Sequence, residues 1–176
     1  MEILITKRER ARNMYQTGDK VVYGNVGVCK VLEISELDFM DDHKMYYTLQ
    51  PYYDDNRTIY APLEGHKHKI RPMISKEEAE SFIEKLPTIE PGNYENEKER
   101  KEAYRDVILS GDMTKWASMI HYIYRREQQR AAKGQKISAH YLEEMRGVER
   151  LLLGELAAAM DIPFDQMKDH IVNQLA

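Results

Sequence analysis

Lys69-Ile70-Arg71-Pro72-Met73-Ile74-Ser75-Lys76-Glu77-Glu78 is the stretch that divides this chain. Lys69 to Pro72 reads as a short closing strand, and Pro72 cannot donate to a continuing ladder. Three residues on, Ser75-x-x-Glu78 is a capping box, in which a serine hydroxyl and a glutamate carboxylate satisfy each other's backbone N–H groups at a helix start. The helix it opens should run to Leu86 and stop at Pro87. Strand signals lie before this junction and helix signals after it. The sequence therefore predicts an α+β chain: a small SH3- or Tudor-like β-barrel over residues 14–74, an all-α domain over residues 75–176, and a flexible basic arm over residues 1–13 carrying Lys7, Arg8, Arg10 and Arg12.

Upstream of the junction, Gln16-Thr17-Gly18-Asp19 is a turn and Lys20 to Tyr23 a β-prone run. Gly24-Asn25-Val26-Gly27 is a second turn, where glycine permits positive φ. From Val28 to Ile34 both alternating sets contain apolar residues, the pattern of a bent strand in a small barrel. Asp38 to Lys44 is an acidic turn. Lys44 to Leu49 and Arg57 to Ala61 form a hairpin through Pro51 to Asn56. Some of the tyrosines Tyr46, Tyr47, Tyr52, Tyr53 and Tyr60 must fill the barrel. Alternation leaves others outside, where exposed tyrosines favour protein interfaces and an edge strand can accept a partner strand.

Downstream, Thr88 to Asn93, with Pro91 and Gly92, is a loop or linker. A charged helix follows over about Glu95 to Leu109, broken by Ser110-Gly111-Asp112. Asp112 can cap the next helix, Met113 to about Gly134. Met113, Trp116, Ala117, Ile120 and Ile123 share its inward side. Lys115, Tyr122, Arg126, Arg130 and Lys133 lie roughly opposite. Ser138 can cap a fourth helix with an apolar face of Tyr141, Leu142, Met145, Val148, Leu152, Leu156 and Ala159; Gly147 and Gly154 lie within it, where they allow close helix approach. A last short helix runs from about Pro163 to Leu175.

The formal charge is -4 over 176 residues. Against that balance, Lys115 to Lys136 gathers Lys115, Arg125, Arg126, Arg130, Lys133 and Lys136 against one acid, Glu127, with Trp116, Tyr122 and Tyr124 interleaved. A confined basic and aromatic patch suits a polyanion; an ordinary solvated face is the other reading. One cysteine, Cys29, cannot build a disulfide framework, and no run approaches the roughly 18 apolar residues of a membrane span. The N-terminus lacks a signal-peptide core. A cytoplasmic protein, close to the nucleoid if it touches DNA, is the expectation. His43 and the His66-x-His68 pair lack companions for a metal site, Cys29 lacks a catalytic partner, and no phosphate-binding or nucleotide motif is present. We expect no metal, no cofactor, no small-molecule substrate and no enzymatic activity.

Two separated motif sets carry a family resemblance. Tyr15-x-x-Gly18-Asp19-x-Val21-Val22-Tyr23-x-x-x-Gly27-Val28, with Ile59-Tyr60-Ala61-Pro62, resembles the RNA-polymerase-interacting domain shared by CarD/CdnL transcription regulators and the transcription-repair coupling factor. Leu109-Ser110-Gly111-Asp112, Tyr124-Arg125-Arg126-Glu127-Gln128 and Leu153-Gly154-Glu155-Leu156-Ala157 resemble the helical domain of CarD/CdnL proteins. The resemblance covers about residues 14–160. It implies a bacterial regulator whose barrel docks strand-to-strand on the RNA polymerase β subunit. Tyr46, Tyr47, Arg57, Thr58, Ile59 and Tyr60 are then the polymerase-binding candidates. It implies promoter DNA contact, without sequence readout, at the upstream edge of the transcription bubble, which stabilises the open complex. The DNA-binding candidates are Tyr124, Arg125, Arg126, Arg130, Lys133 and Lys136. Tyr124 aligns with the family's minor-groove wedge, usually a tryptophan; on an ideal wheel it also falls beside Ile120, so wedge and core are both open. Trp116 reads as a core anchor. The alternative function is an adaptor that binds polymerase without touching DNA.

Overall fold

The structure, a computed structural model, describes residues 15–64, 70–136 and 138–175. The basic arm, Met14 and the His66-x-His68 pair lie outside them. Five strands come first: β1 Lys20–Tyr23, β2 Gly27–Glu36, β3 Met45–Pro51, β4 Ile59–Pro62 and β5 Ile70–Pro72. Five helices follow: α1 Lys76–Lys85, α2 Glu97–Leu109, α3 Met113–Ala132, α4 Ala139–Met160 and α5 Phe164–Leu175. The α+β reading is correct. The capping box forms as read, with Glu78 N donating to Ser75 Oγ at 3.1 Å and Ser75 N donating to Glu78 Oε2 at 2.8 Å. Pro87 sits in a 3-10 turn, Leu86–Thr88, that ends this first helical stretch.

The strands form one antiparallel sheet in the order β4-β3-β2-β1-β5. The expected barrel does not close: β4 and β5 remain at opposite edges of the described sheet. Both edge strands are short and end on a proline, Pro62 and Pro72, which has no N–H to extend a ladder.

The two-sided apolar pattern of β2 has two causes, the helices packed on one face and the sheet's own residues gathered on the other. Val22 and Val28 face the helices and join a core with Trp116, Ile123, Val148, Leu152 and Leu156. Their neighbours Val21 and Cys29 face the other way, with Val31, Tyr47, Leu49 and Ala61. Adjacent strand residues point to opposite faces, so a strand buried by helices on one side and by the sheet's own side chains on the other needs apolar residues in both sets. A bulge between Val31 and Glu33 then shifts the parity. Ile34 joins the face of Val31, and Leu32 is left exposed.

Helix α4 is the element on which the sheet rests. Its two glycines admit different neighbours. A Cβ on Gly147 would lie 2.7 Å from the Tyr104 hydroxyl of α2, and one on Gly154 would lie 3.2 Å from the Tyr53 ring. Gly147 thus serves helix approach as expected, whereas Gly154 admits the β3–β4 loop. Asp161, left-handed at φ 56°, ends α4. Among the described residues no helix is long and apolar enough to cross a membrane.

Candidate interfaces: a free sheet edge and an exposed face of α3

Among the described residues, strand β4 pairs with β3 on one side only. Leu63 N donates to Met45 O at 2.9 Å, and the register places Ala61 opposite Tyr47 and Ile59 opposite Leu49. Alternation therefore turns the N–H and C=O of Tyr60 toward the free edge. Tyr60 is exposed, and Phe39 packs edge-to-face on it at 5.2 Å. Arg57 and Thr58 are exposed beside it, and Ile59 packs half-buried on the sheet core.

Tyr46 and Tyr47 fall differently from the expectation of exposed contact residues. Tyr47 points into the sheet core, where its hydroxyl accepts from Tyr15 N at 3.4 Å. Tyr46 lies on the opposite face yet is buried, because the acidic turn folds back over it and Asp42 Oδ2 accepts from its hydroxyl at 2.8 Å. That bond holds the Asp42 carboxyl below its usual range. Neither ring is offered to a partner; the exposed aromatics of the sheet are Tyr60, Phe39, on a turn with no periodicity to flag it, and Tyr52 and Tyr53 of the β3–β4 loop.

Helix α3 starts at Asp112, whose carboxylate accepts from Thr114 N and Lys115 N at 2.9 and 3.2 Å. Met113, Trp116, Ala117, Met119 and Ile123 face the core. Trp116 is fully buried and donates from Nε1 to Val107 O at 2.9 Å, as an anchor should. Tyr124 is 60% exposed, which removes it from the core. At about 100° per residue, Arg125 lies one step round the helix from Tyr124, and Arg126 lies on the far side.

The cations of this face are not equivalent. Glu127, the one acid of the stretch, is buried: its Oε2 accepts from Ser138 N at 3.3 Å. Arg130 Nε stands 3.8 Å from Glu127 Oε1, and Arg130 Nη2 donates to Lys136 O at 2.9 Å. Arg130 is therefore engaged in closing the turn before α4. Arg125, Lys133 and Lys136 are exposed and make no ion pair with a described residue, while Arg126 makes only a 3.5 Å bond to Gln129.

The segment read as a linker is strapped to α3 instead. Gly92 N donates to Ser118 O at 3.1 Å, Ser118 Oγ donates to Glu90 O at 2.8 Å, and His121 Nδ1 lies 2.8 Å from Ile89 O. Tyr94 then meets Tyr122 edge-to-face at 4.8 Å. A cleft of about 410 Å³ remains between strap and helix, bordered by Tyr122, Arg125, Arg126 and Glu97. Bonds from Tyr141 and then Arg100 hold the Glu97 carboxyl below its usual range, so it stays anionic in a cationic surround. Burial pushes the Cys29 thiol up to about 12, which leaves it a neutral core residue at physiological pH.

A small open sheet with a free edge, carried on a helical body, is the form of a macromolecular docking module. Residues 15–74 match the CarD-like/TRCF RID domain family, and this part of the chain belongs to it. The sheet is thus an RNA-polymerase-interacting domain, and the chain is an RNA-polymerase-interacting protein with a role in transcription regulation. The match ends at Ile74, one residue before the capping serine.

Proposed function

We propose that this protein is a non-enzymatic transcription regulator that holds RNA polymerase by its sheet and promoter DNA by helix α3, stabilising the open complex. The observation that carries the DNA half is the exposed Tyr124 ring beside Arg125 on a helix whose other aromatics are occupied, Trp116 in the core and half-buried Tyr122 against Tyr94. The arginines supply phosphate contacts without base readout. The ring wedges at the melted junction, where unstacked steps accept a side chain. The acidic whole, at a formal charge of -4, keeps affinity for free DNA low, so recruitment runs through polymerase.

The polymerase half uses strand addition at β4, with the β subunit as partner. Because the Tyr60 N–H points to the free edge, Tyr60→Pro removes an intermolecular donor without removing a β3–β4 bond. Polymerase binding measured with this variant should fall at least about tenfold, the worth of one hydrogen bond and the lost ring, while the urea midpoint stays near wild type. Unchanged binding by a folded Tyr60→Pro protein rules out docking at this edge.

A further inference from the structure

We infer that Arg71 and Glu155 form a clasp that fixes how the polymerase-interacting sheet is oriented on the α3 face, across the core that Val22 and Val28 already share with the helices, with Arg71 as its positioning residue. Arg71 stands on β5, at the very end of the sheet. Its guanidinium reaches three separate helical features. Nη1 and Nη2 donate to Glu155 Oε1 and Oε2, each at 2.6 Å. Nε donates to Gly111 O at 2.6 Å, at the corner where α3 begins. The guanidinium carbon lies 5.7 Å from the centroid of the Trp116 ring, in the first turn of α3. One side chain on the sheet therefore touches α4, the α2–α3 corner and α3 itself.

Glu155 is built for this contact. It is 1% exposed, in the C-terminal part of α4, where an unpaired carboxylate is very costly. Its Oε1 also accepts from Ile74 N at 3.1 Å, so the residue joining sheet to α1 is held by the same carboxylate. The fork-on-fork geometry fixes orientation as well as distance, which a lysine could not do. A second tie lies next to it: Tyr53, from the β3–β4 loop, donates its hydroxyl to Gly154 O at 2.9 Å and packs on Phe164 at 5.3 Å.

A buried ion pair is poor value as pure stabilisation, since apolar residues of similar volume often do as well. What this one adds is a single relative orientation of two surfaces. For a protein that binds two partners at once, a fixed geometry sets the effective concentration of the second site after the first is engaged. That functional consequence rests on the bridging reading above; the clasp itself does not.

The test places spin labels on two exposed positions, Lys30 of β2 and Gln128 of α3, in the full chain. Wild type should give one narrow distance distribution. Glu155→Gln keeps the shape and removes the charge, and Arg71→Lys keeps the charge and removes the fork; each should broaden the distribution while both halves stay folded. Polymerase affinity should hold within about twofold, and the prolongation of open-complex lifetime should fall about tenfold or more as effective concentration is lost. Narrow distributions in both variants overturn the clasp. So does global unfolding of both, which makes the pair a determinant of folding and not of orientation. If wild type leaves open-complex lifetime unchanged, the bridging function fails while the label distances still decide the clasp.

Discussion

Trp116 and Tyr124 lie two turns apart on α3 and should respond to truncation in opposite ways. Trp116 is fully buried and holds the Val107 carbonyl through Nε1, so Trp116→Ala opens a cavity and removes a buried bond. Such truncations cost about 3–5 kcal/mol. For a chain of this size, at about 2–4 °C per kcal/mol, that is a fall in Tm of about 6–20 °C. Tyr124 is 60% exposed and makes no side-chain hydrogen bond with a described residue. Tyr124→Ala should shift stability by no more than about 0.5 kcal/mol, the range of ordinary surface changes. Urea unfolding followed by far-UV circular dichroism measures both. A Tyr124→Ala loss above about 2 kcal/mol, or a Trp116→Ala loss below about 1 kcal/mol, would refute the assignment of faces on which the DNA proposal stands.

Three further outcomes follow from the charged and titrating groups. Arg100 is fully buried, with Nη1 2.5 Å from Glu144 Oε2 and Nε 3.1 Å from Glu97 Oε2. Arg100→Met should cost about 3–5 kcal/mol by leaving buried Glu144 with only His140 Nε2, 3.0 Å from Oε1, beside it, and adding Glu144→Leu should recover much of that, as a double-mutant cycle in urea would show. Stability should fall above about pH 9: the Cys29 thiol ionises near its ordinary 9.0 when unfolded but only near about 12 when folded. Only the unfolded state loses the proton in that window, so rising pH favours unfolding. Cys29→Ala should delay the onset toward pH 10, where Tyr53 and Tyr141, each raised to about 12 chiefly by burial, begin to act. With polymerase present, Arg125→Gln should reduce the salt dependence of promoter binding by about 0.9 in log–log slope, whereas Arg130→Gln should change it far less because Glu127 already engages Arg130.

Much of this architecture is legible in the sequence because it is written in local chemistry. The Ser75-x-x-Glu78 box, Asp112 before α3 and Ser138 before α4 mark helix starts by hydrogen bonds that need no tertiary context. A 3.6-residue period places Met113, Trp116, Ala117 and Ile123 of α3 inward, but it misses buried Met119 and Glu127, and Ile120, read as inward, is half-buried. What the sequence hides is what depends on a distant neighbour. Val28 looks like a barrel residue until α4 is seen to cover its face. Tyr46 looks like an exposed outer tyrosine until the acidic turn closes over it. Arg100, Glu127, Glu144 and Glu155 read as surface charge, since charged residues are almost never buried unless paired, and their partners are far away in sequence. The same limit applies to the candidate DNA face. Six cations stand within a short stretch, but only the structure shows Arg130 tied to Glu127 and Lys136, and Tyr124 clear of the core.

Open-complex lifetime on a promoter template, measured with the matching polymerase, tests the central proposal most directly. The wild-type protein should prolong it. Tyr124→Ala should lose that effect while its urea midpoint and its affinity for polymerase remain those of wild type. A lifetime that wild type leaves unchanged, or that folded and polymerase-bound Tyr124→Ala prolongs equally, contradicts the account and leaves a polymerase adaptor that does not touch DNA through this ring.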